Sequence, residues 1–486
     1  MSLSVDTDIL KRILTGSLPT GARASELFIE SRISLHVEIG GNGHGSDPMV
    51  RAERRWESGA HLRRFAEGRC ESFVLDAPTG ESLQALALHP QAVAVEWLSG
   101  RARLGVSRET SDTRLEACLN DASPSAKWGP WSESYLHRST EMLLGWLGSL
   151  QADAASVGID VTGGASLRAD VQEILVLSTD RDPARDTRSF VDATLRARFT
   201  KSGRSLAVEQ TRSAASLEGL ERLERDGGHP AAVLFGRGTL GLQAVAAPRG
   251  EMPVVFAPPS GGFLLHEICG HLLEADHVLR AASPFVGARG RAIASPLLTL
   301  VDDGSIPGMR GSTLFDDEGI AARRTPLIME GTLVGYLSDR LTAFATGGIS
   351  TGNGRRQSYR DSPMPRMTNL VIDPGRESFD EILRRTAAGL LVTRLGRGHV
   401  EPATGRFSLT VEEGYLIEGG ARGAPVAGAV LRGRASDLLP AIDAVGSDPR
   451  SDTGAPVCLK EDQAIPFGIM QPTLRVSSIT VAGADR

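Results

Sequence analysis

Apolar and polar residues alternate most regularly at residues 191–200. Apolar side chains stand at every second position from 191 to 199, with aspartate, threonine or arginine between them. Successive side chains of a β-strand point to opposite faces, so this period of two predicts a strand with one buried face. The same alternation from Ile33 to Ile39 predicts another half-buried strand, and shorter strand-like runs continue to about Val106.

Two segments of the first half have helical spacing instead. Residues 5–15 are predicted to form a short helix. Within 134–156, large apolar residues recur three or four positions apart, so we expect a helix whose apolar stripe packs in the core. Its members are Met142, Leu143, Trp146, Leu147 and Leu150. The polar segment 108–131 contains glycine and proline and is predicted to be a connection.

The second half has a different rhythm. The polar run 221–230 contains Gly227-Gly228 and predicts a boundary between two domains, 1–226 and 227–486. A strand is expected at 254–257 and a helix at 379–389. From residue 295 onward, Gly, Asp-Gly and Pro separate short apolar runs, as is typical of strands joined by turns. These runs are 297–301, 333–337, 406–410, 415–418 and 473–476.

These patterns predict an α+β fold. The N-terminal domain is expected to be α/β, with an antiparallel sheet and long helices. The C-terminal domain is expected to be mostly antiparallel β and to carry one chemically distinctive helix, described below. The chain has 486 residues, which is enough for two or three domains.

Composition and charge exclude several functional classes. The net charge is −6, with both signs mixed along the chain, so no basic surface for nucleic acid is expected. No apolar run approaches the ~18 residues of a membrane span. The N-terminus contains Asp6 and Asp8 and lacks a secretion signal, so we expect a cytoplasmic protein. The four cysteines are too scattered for a disulfide scaffold.

The strongest chemical signal is an HExxxH motif in the apolar, helix-like segment 263–278. It reads His266-Glu267-Ile268-Cys269-Gly270-His271. Two imidazoles and a carboxylate this close together are typical of a site where a metal ion activates water and the glutamate acts as base. Ser260, or a glycine beside it, is expected to cap this helix.

The spacing of the two histidines differs from that of an ordinary zinc helix. There, histidines four residues apart share one face. Here they are five apart, and at about 100° per residue the second ring lies roughly 140° around the helix from the first. A π-type turn would bring the two rings together, and Gly270 would relax the φ/ψ limits at that point. The sequence therefore allows a widened helix with both rings on one ion, or two separately packed histidines.

A third ligand must come from elsewhere, because a catalytic zinc usually takes three protein ligands and keeps one position for water. Cys458 is a candidate, since it lies in a Gly/Pro/Asp-rich loop predicted at 447–465. His399 and His277 are weaker candidates. Cys269 is expected to point away from the site and to pack as a small apolar residue.

Other polar motifs carry less specific signals. Glu274 and Asp276 follow the histidines, and if buried they need partners such as a metal or a ligating histidine's second N–H. Residues 352–356 resemble an anion-binding loop and are predicted to form a turn that could also hold substrate. The acidic segments 302–304 and 316–319 lack the calcium-loop pattern and are predicted to be turns.

Together the motifs resemble those of the TldD/PmbA metallopeptidases. The N-terminal half resembles the family only in outline. From His266 to Val476 the resemblance is highly specific and rests on motifs in a fixed order. They are His266-Glu267-x-x-Gly270-His271-x-x-Glu274-x-Asp276, Val301-Asp302-Asp303-Gly304, Asp316-Asp317-Glu318-Gly319, Thr351-Gly352-Asn353-Gly354-Arg355-Arg356, Pro363-Met364-Pro365-Arg366-Met367-Thr368-Asn369 and Gln471-Pro472-Thr473-Leu474-Arg475-Val476.

The resemblance implies a zinc-dependent peptidase that acts on unfolded or small peptides in an enclosed chamber. It implies one Zn²⁺ per chain, bound by His266, His271 and Cys458, with Glu267 as general base. This chain keeps all four residues and so resembles the catalytic type. The family also implies a dimer, either a homodimer or a heterodimer with a related subunit.

Several further residues are expected near the reaction. Glu274 and Asp276 are candidates for second-sphere or substrate contacts. Arg366, His399 and Tyr415 are alternatives for holding the oxyanion that forms when water attacks the scissile carbonyl. An exposed strand edge of the β domain is expected to bind the peptide backbone by β-addition, which would tolerate many sequences.

Two other functions remain compatible with the sequence. The divergent N-terminal half could mark a pathway-specific, metal-dependent amide hydrolase that matures one peptide-like intermediate. Alternatively, the chain could be a non-catalytic partner or scaffold subunit with a relic motif. The retained Glu267 and Cys458 make the last alternative the weakest.

Overall fold

The computed structural model describes residues 7–16, 22–40, 49–66, 69–76 and 132–483. The strand-like runs predicted beyond residue 76 and the connection predicted at 108–131 lie outside these ranges. The described residues form a mixed α+β protein that consists mostly of strands in several sheets, as predicted. In the part of the chain that is described, no helix is both long and apolar enough to cross a membrane.

A six-stranded antiparallel sheet forms the first half, in the order β3-β2-β1-β4-β5-β6. Its strands are β1 (Ala22–Gly40), β2 (Met49–Ala66), β3 (Arg69–Asp76), β4 (Asp160–Ser178), β5 (Arg181–Lys201) and β6 (Arg204–Ala214). The two alternating runs of the sequence lie in β1 and β5, which confirms both strand predictions. The helices are α1 (Thr7–Gly16), α2 (Glu133–Ser156), α3 (Leu217–Gly227) and α4 (Pro230–Leu242).

The apolar stripe of α2 packs on this sheet, as predicted. Ser132 caps the helix by accepting a hydrogen bond from the Tyr135 N–H. Leu143, Trp146, Leu147 and Leu150 are buried in one core with the inward residues of β1, β4 and β5. A period of 3.6 in the helix and a period of two in the strands thus contribute to the same apolar layer.

The polar run 221–230 is not an irregular linker. Most of it lies in α3, whose Ser216 side chain accepts a hydrogen bond from the Gly219 N–H. The following helix α4 packs on the first sheet, with Ala231 and Leu234 in the same core as α2. The polarity of the run 221–230 therefore reflects the exposed face of the amphipathic helix α3. The division into domains 1–226 and 227–486 stays a prediction.

Five strands of the second half close into a small β-barrel in the order β15-β8-β24-β18-β16, with β16 pairing back to β15. Their ranges are β8 (Gly250–Phe256), β15 (Ala388–Glu401), β16 (Arg406–Glu418), β18 (Ala429–Arg434) and β24 (Leu474–Gly483). Three short strands flank the barrel, namely β7 (Val245–Ala246), β17 (Ala421–Ala427) and β19 (Ile442–Val445). Most pairs are antiparallel, as expected, but β8 runs parallel to β15.

A second sheet has the order β11-β10-β9-β14-β23-β20, and two hairpins complete the half. The sheet comprises β9 (Leu300–Asp303), β10 (Arg324–Met329), β11 (Thr332–Leu333), β14 (Asn369–Ile372), β20 (Arg450–Ser451) and β23 (Gly468–Gln471). The hairpins pair β12 (Gly354–Arg355) with β13 (Met364–Pro365), and β21 (Val457–Lys460) with β22 (Gln463–Pro466). The helices are α5 (Ser260–Leu265), α6 (Ala275–Leu279), α7 (Arg340–Thr346), α8 (Phe379–Arg385) and α9 (Ala435–Leu438). The helix predicted at 379–389 is therefore shorter than expected.

The helix that carries the histidines is widened, which is the first of the two alternatives that the spacing allowed. After α5, residues His266–Gly270 form a π-helical turn, and His271–Leu273 form a 3₁₀ turn. The N–H of His271 donates to the carbonyl of His266, five residues earlier. The capping prediction was wrong, because the Ser260 hydroxyl donates to the Val392 carbonyl at 3.0 Å instead.

Gly270 serves this turn for a reason other than the one the sequence indicated. Its φ of −51° and ψ of −63° are ordinary helical values, so the backbone does not require glycine. A Cβ atom there would lie 1.9 Å from Sδ of Met367, which is itself buried. The absence of a side chain lets Met367 pack directly on the widened turn.

Buried charges join the two halves. The Glu26 carboxylate on β1 accepts hydrogen bonds from Arg63 at 2.8 Å and from Arg340 at 2.9 Å, and it contacts Arg356 at 3.3 Å. Arg63 also donates to Glu318. Burial opposes the ionised form, but the three guanidinium groups outweigh it and lower the pKa of Glu26 from 4.5 to about 2. All of these side chains are buried, so the network fixes how the halves meet.

We predict that Gly270→Ala lowers the free energy of unfolding by about 1–3 kcal/mol, because the added methyl group overlaps Met367. In a Met367→Ala background the same substitution should have little further effect. Denaturant unfolding of the four proteins measures this coupling. Gly148→Ala is the matched control, since no atom lies near its added methyl group. Equal losses at Gly270 with and without Met367 would contradict the explanation.

Glu26→Gln is expected to lower the free energy of unfolding by about 3–5 kcal/mol at neutral pH, because it leaves buried guanidinium groups uncompensated. Since the folded-state pKa is lowered, the stabilisation by Glu26 is present above pH 4.5 and is lost as the pH falls toward 2. Acid titration of stability should therefore be flatter in the variant. Glu209→Gln, in an exposed pair with Arg196, is the control and should change stability by less than about 1 kcal/mol.

Candidate metal centre

Three potential metal ligands meet beside the widened helix. The ring centroids of His266 and His271 are 4.9 Å apart, and Cys458 Sγ lies 3.3 Å from His271 Nε2. One ligand atom from each of the three residues lies within 4.8 Å of the others, and all three residues are buried. The structure thus brings together the two histidines and the cysteine that the sequence singled out. Their role as metal ligands stays a prediction.

His266 is held by aromatic packing. Its ring stacks on Phe467 with a centroid distance of 3.8 Å and an interplanar angle of 18°, and Phe263 lies on the helix at 6.1 Å. Only 1% of His266 is exposed, and its Nδ1 has no hydrogen-bond partner among the described residues. The ring orientation therefore depends on stacking and on whatever binds its other edge.

Cys458 lies on a strand and not in a loop. It is the second residue of β21 and pairs with Ile465 across the hairpin. Arg366, which is fully buried, donates hydrogen bonds to the carbonyls of Cys458 and Gln463 and so holds both strands of the hairpin. The thiol is consequently presented by a rigid element, which the glycine, proline and aspartate residues around it did not indicate.

The electrostatics favour a thiolate. Burial raises the pKa of Cys458, but the neighbouring imidazoles of His271 and His266 outweigh it and hold that pKa well below the usual range. For His271, burial alone would lower the pKa, yet Cys458 and Glu274 raise it well above the ordinary value. By contrast, burial raises the pKa of Cys269, which packs in the apolar core as expected. Of these two buried cysteines, Cys458 is the one whose thiolate form is favoured.

Glu274 supports His271 from behind. Its Oε2 lies 3.2 Å from His271 Nδ1, which leaves Nε2 directed toward Cys458. A carboxylate on the far nitrogen fixes the tautomer and orientation of a metal-binding imidazole. Burial alone would raise the pKa of Glu274, but the charges of Lys460 and His271 outweigh burial and lower that pKa below its ordinary value. The carboxylate is therefore ionised. The sequence had placed Glu274 among the second-sphere candidates, and the structure supplies its contact.

Glu267 occupies a different environment from Glu274. It is half-buried on the π-helical turn, directly after His266. Its carboxylate makes no hydrogen bond to any of the described residues. The donor set of two imidazoles and one thiolate is one that zinc accepts in catalytic sites, and it leaves a position for water.

The three alternatives for holding an oxyanion fare differently. Arg366 binds backbone carbonyls of the hairpin, and Tyr415 donates to Glu413 at 2.9 Å within a separate core cluster. Both side chains therefore already make hydrogen bonds within the protein. His399 is exposed on β15 and does not belong to the cluster formed by His266, His271 and Cys458. His277 lies 3.8 Å from Glu274 and not beside Cys458.

The acidic and Gly-rich motifs make buried contacts within the protein. The turn predicted at 316–319 is present, whereas Asp302 and Asp303 lie at the end of β9. Asp302 accepts hydrogen bonds from the Asn353 side chain at 2.7 Å and the Thr368 N–H at 2.8 Å, and burial raises its pKa to about 6. Asp316 accepts from the Gly354 N–H at 3.0 Å. Because these donors are used internally, the predicted substrate role of residues 352–356 has no support in the structure.

Sequence reasoning missed two residues of the centre. Phe467 stacks on His266, and Lys460 donates to Glu274 at 2.9 Å and to Asp276 at 2.8 Å. The position of Lys460 could be inferred only once the strand β21 was known, because the sequence predicted a loop there. It stands two residues after Cys458, and side chains two apart on a strand share a face. No sequence signal distinguished Phe467 from other apolar residues.

Comparison with known proteins places these residues in a family. The model of the PmbA/TldA metallopeptidase C-terminal domain matches residues 249–483. The Haemophilus influenzae metalloprotease TldD homolog is 38% identical over 327 residues, covering 66% of this chain and 67% of that protein. The Saccharolobus solfataricus zinc metalloprotease TldD homolog is 30% identical over 244 residues, covering 50% of this chain and 54% of that protein.

Solved structures agree in fold. TldE from Thermococcus kodakarensis has a TM-score of 0.71 at 19% identity and covers 98% of this chain and 99% of its own. A putative modulator of a DNA gyrase from Thermotoga maritima has a TM-score of 0.70 at 18% identity, with the same two coverages. Given the sequence relatives and the assembled motif residues, this chain belongs to the TldD/PmbA family and is a metalloprotease.

Proposed function

We propose that the chain hydrolyses peptide bonds with one Zn²⁺ bound by His266, His271 and Cys458, and with Glu267 as general base. The observation that carries the proposal is the approach of Cys458 Sγ to His271 Nε2 at 3.3 Å, across 187 residues of sequence. The zinc-dependent relative named above supports the choice of metal. Bound there, zinc would polarise the scissile carbonyl and lower the pKa of water toward ~7.

The protein residues have distinct tasks in this mechanism. Glu267, which follows His266 and has no hydrogen-bond partner among the described residues, accepts a proton from the attacking water and passes it to the leaving amine. Glu274 keeps His271 oriented through Nδ1. Phe467 and Phe263 shield His266 from solvent, which strengthens electrostatic interactions within the site.

A strand edge near the centre offers a place for the substrate. β8 pairs with β15 only at residues 390–392 and then leaves the barrel toward α5. After residue 392, the edge of β15 that pairs with β8 has no strand partner among the described residues. Gly398 of this stretch lies close to the ring of Phe263, next to the histidine turn. We propose that an unfolded peptide adds to this edge, where main-chain hydrogen bonds tolerate many sequences.

The quaternary structure is part of the same proposal. A homodimer, or a heterodimer with a related subunit, would enclose the centre and restrict it to unfolded or small peptides. The alternative of a pathway-specific hydrolase rests on the N-terminal half, which lies outside the matched family model. Cleavage of denatured casein at many sites would contradict that narrower role. A non-catalytic role is disfavoured because His266, His271, Cys458 and Glu267 are all present.

The metal assignment predicts about one zinc per chain in the purified protein, as in single-metal catalytic sites. Cys458→Ser should lose most of this zinc, because a hydroxyl replaces the soft thiolate. Elemental analysis of the dialysed proteins measures the content. Cys70→Ser, which alters a cysteine of β3 away from the cluster, should retain the full amount. Undiminished zinc in Cys458→Ser would refute the three-ligand centre.

The general-base assignment predicts that Glu267→Gln lowers kcat/KM for an unfolded peptide by about 10²–10⁴-fold, with zinc content unchanged. A fluorogenic peptide or denatured casein serves as substrate, and a chelator should abolish the wild-type activity until zinc is restored. Glu209→Gln controls for loss of a surface carboxylate. Full activity of Glu267→Gln would assign the base elsewhere, and stoichiometric zinc without hydrolysis of any unfolded peptide would argue against the peptidase itself.

A further inference from the structure

Lys460 has an unusual position for a lysine. It follows Cys458 by two residues on β21, and both side chains are buried. The alternate residues of the strand, Val457 and Leu459, are exposed. Only 8% of Lys460 is exposed. Its ammonium donates to Glu274 Oε2 at 2.9 Å, Asp276 Oδ1 at 2.8 Å and the Pro365 carbonyl at 3.2 Å. Each of its three N–H groups therefore has an acceptor.

The groups around this ammonium would suit a metal ion. One ligand atom from each of Glu274, Asp276 and His277 lies within 4.8 Å of the others, beside the cluster that contains Cys458. Glu274 Oε1 is buried and has no hydrogen-bond partner among the described residues. Two buried carboxylates, which are hard oxygen ligands, and an imidazole form a donor set that suits a divalent cation such as Zn²⁺. In this chain, Lys460 already holds the two carboxylates.

Formal charges show what the ammonium balances. With zinc at the proposed centre, the ion and Lys460 together match the Cys458 thiolate and the carboxylates of Glu274 and Asp276. Removal of the ammonium would leave one buried negative charge uncompensated. Such a site recruits another cation or rearranges, because an unpaired buried charge is strongly unfavourable.

We infer that Lys460 is a positioning residue that occupies the place of a second metal ion. It holds Glu274 against Nδ1 of His271, and it limits the centre to a single zinc bound by His266, His271 and Cys458. The inference rests on the proposed function, since it requires zinc at that centre. Lys460 and Cys458 lie on the same strand. The hairpin therefore supplies both the proposed ligand Cys458 and the ammonium that balances the carboxylates of Glu274 and Asp276.

Zinc stoichiometry and affinity test the inference. Wild type should bind one zinc, and Lys460→Met should bind two at saturating zinc, the second at Glu274, Asp276 and His277. Affinity for the first zinc should fall about 10–100-fold, as when a ligand's outer partner is removed. Lys460→Met/Asp276→Asn removes one charge of each sign and should return to one zinc. Lys201→Met, at an exposed strand end, is the control and should match wild type.

Cobalt substitution separates positioning from a merely structural role. The visible spectrum of the Co²⁺ protein reports the coordination geometry and the thiolate ligand, so it should change in Lys460→Met. It should stay changed in the double variant, which restores the charge balance but not the ammonium that holds Glu274. One metal with wild-type affinity and spectrum in Lys460→Met would overturn the inference, while a wild type that binds no zinc would overturn the proposed function itself. If Lys460→Met fails to fold, a folded double variant supports charge balance, and failure of both overturns it.

Discussion

The hydrogen bond from the His271 N–H to the His266 carbonyl, which closes a π-helical turn, determines the arrangement of the centre. In a regular helix, residues five apart point to different sides, and one ion could not contact both rings. A single widened turn brings the ring centroids to 4.9 Å. It also places Glu267 on a half-buried surface while its neighbours pack inward. The chemistry of the motif therefore depends on a local departure from α-helical geometry.

Packing maintains this departure. Met367 lies where a side chain at Gly270 would stand, and Phe467 stacks on His266. Both residues lie in the same half of the chain as the helix but far from it in sequence. The widened turn is thus stabilised by tertiary contacts and not by the propensities of its own residues, in keeping with the frequent association of π-helical turns with functional sites.

Electrostatic ties connect the centre to the rest of the molecule. Arg366 donates to backbone carbonyls of the hairpin that contains Cys458, and Lys460 of this hairpin donates to Glu274. The Gln463 side chain of the same hairpin accepts a hydrogen bond from the Gln357 N–H at 3.0 Å. The Gln357 carbonyl in turn accepts from Arg32 of the first sheet at 2.7 Å. Beside it, the buried network around Glu26 joins the halves. The N-terminal sheet therefore contributes to how Cys458, the proposed third ligand, is held.

The residues alone left Cys458, His399 and His277 as candidates for a third ligand, and the resemblance to the TldD/PmbA family selected Cys458. The sequence alone determined the strands at 33–39 and 191–200, the apolar stripe of α2 and the identity of the two clustered histidines His266 and His271. Period and residue type carry that information, because burial of one face requires it. The sequence did not indicate that residues 221–227 lie in a helix or that Cys458 lies on a strand, since polar and turn-forming residues do not distinguish these elements from a loop. Only the tertiary structure decided the role of Gly270, the partners of Glu274 and the position of Lys460. Each of these depends on side chains distant in sequence that become neighbours only when the chain folds.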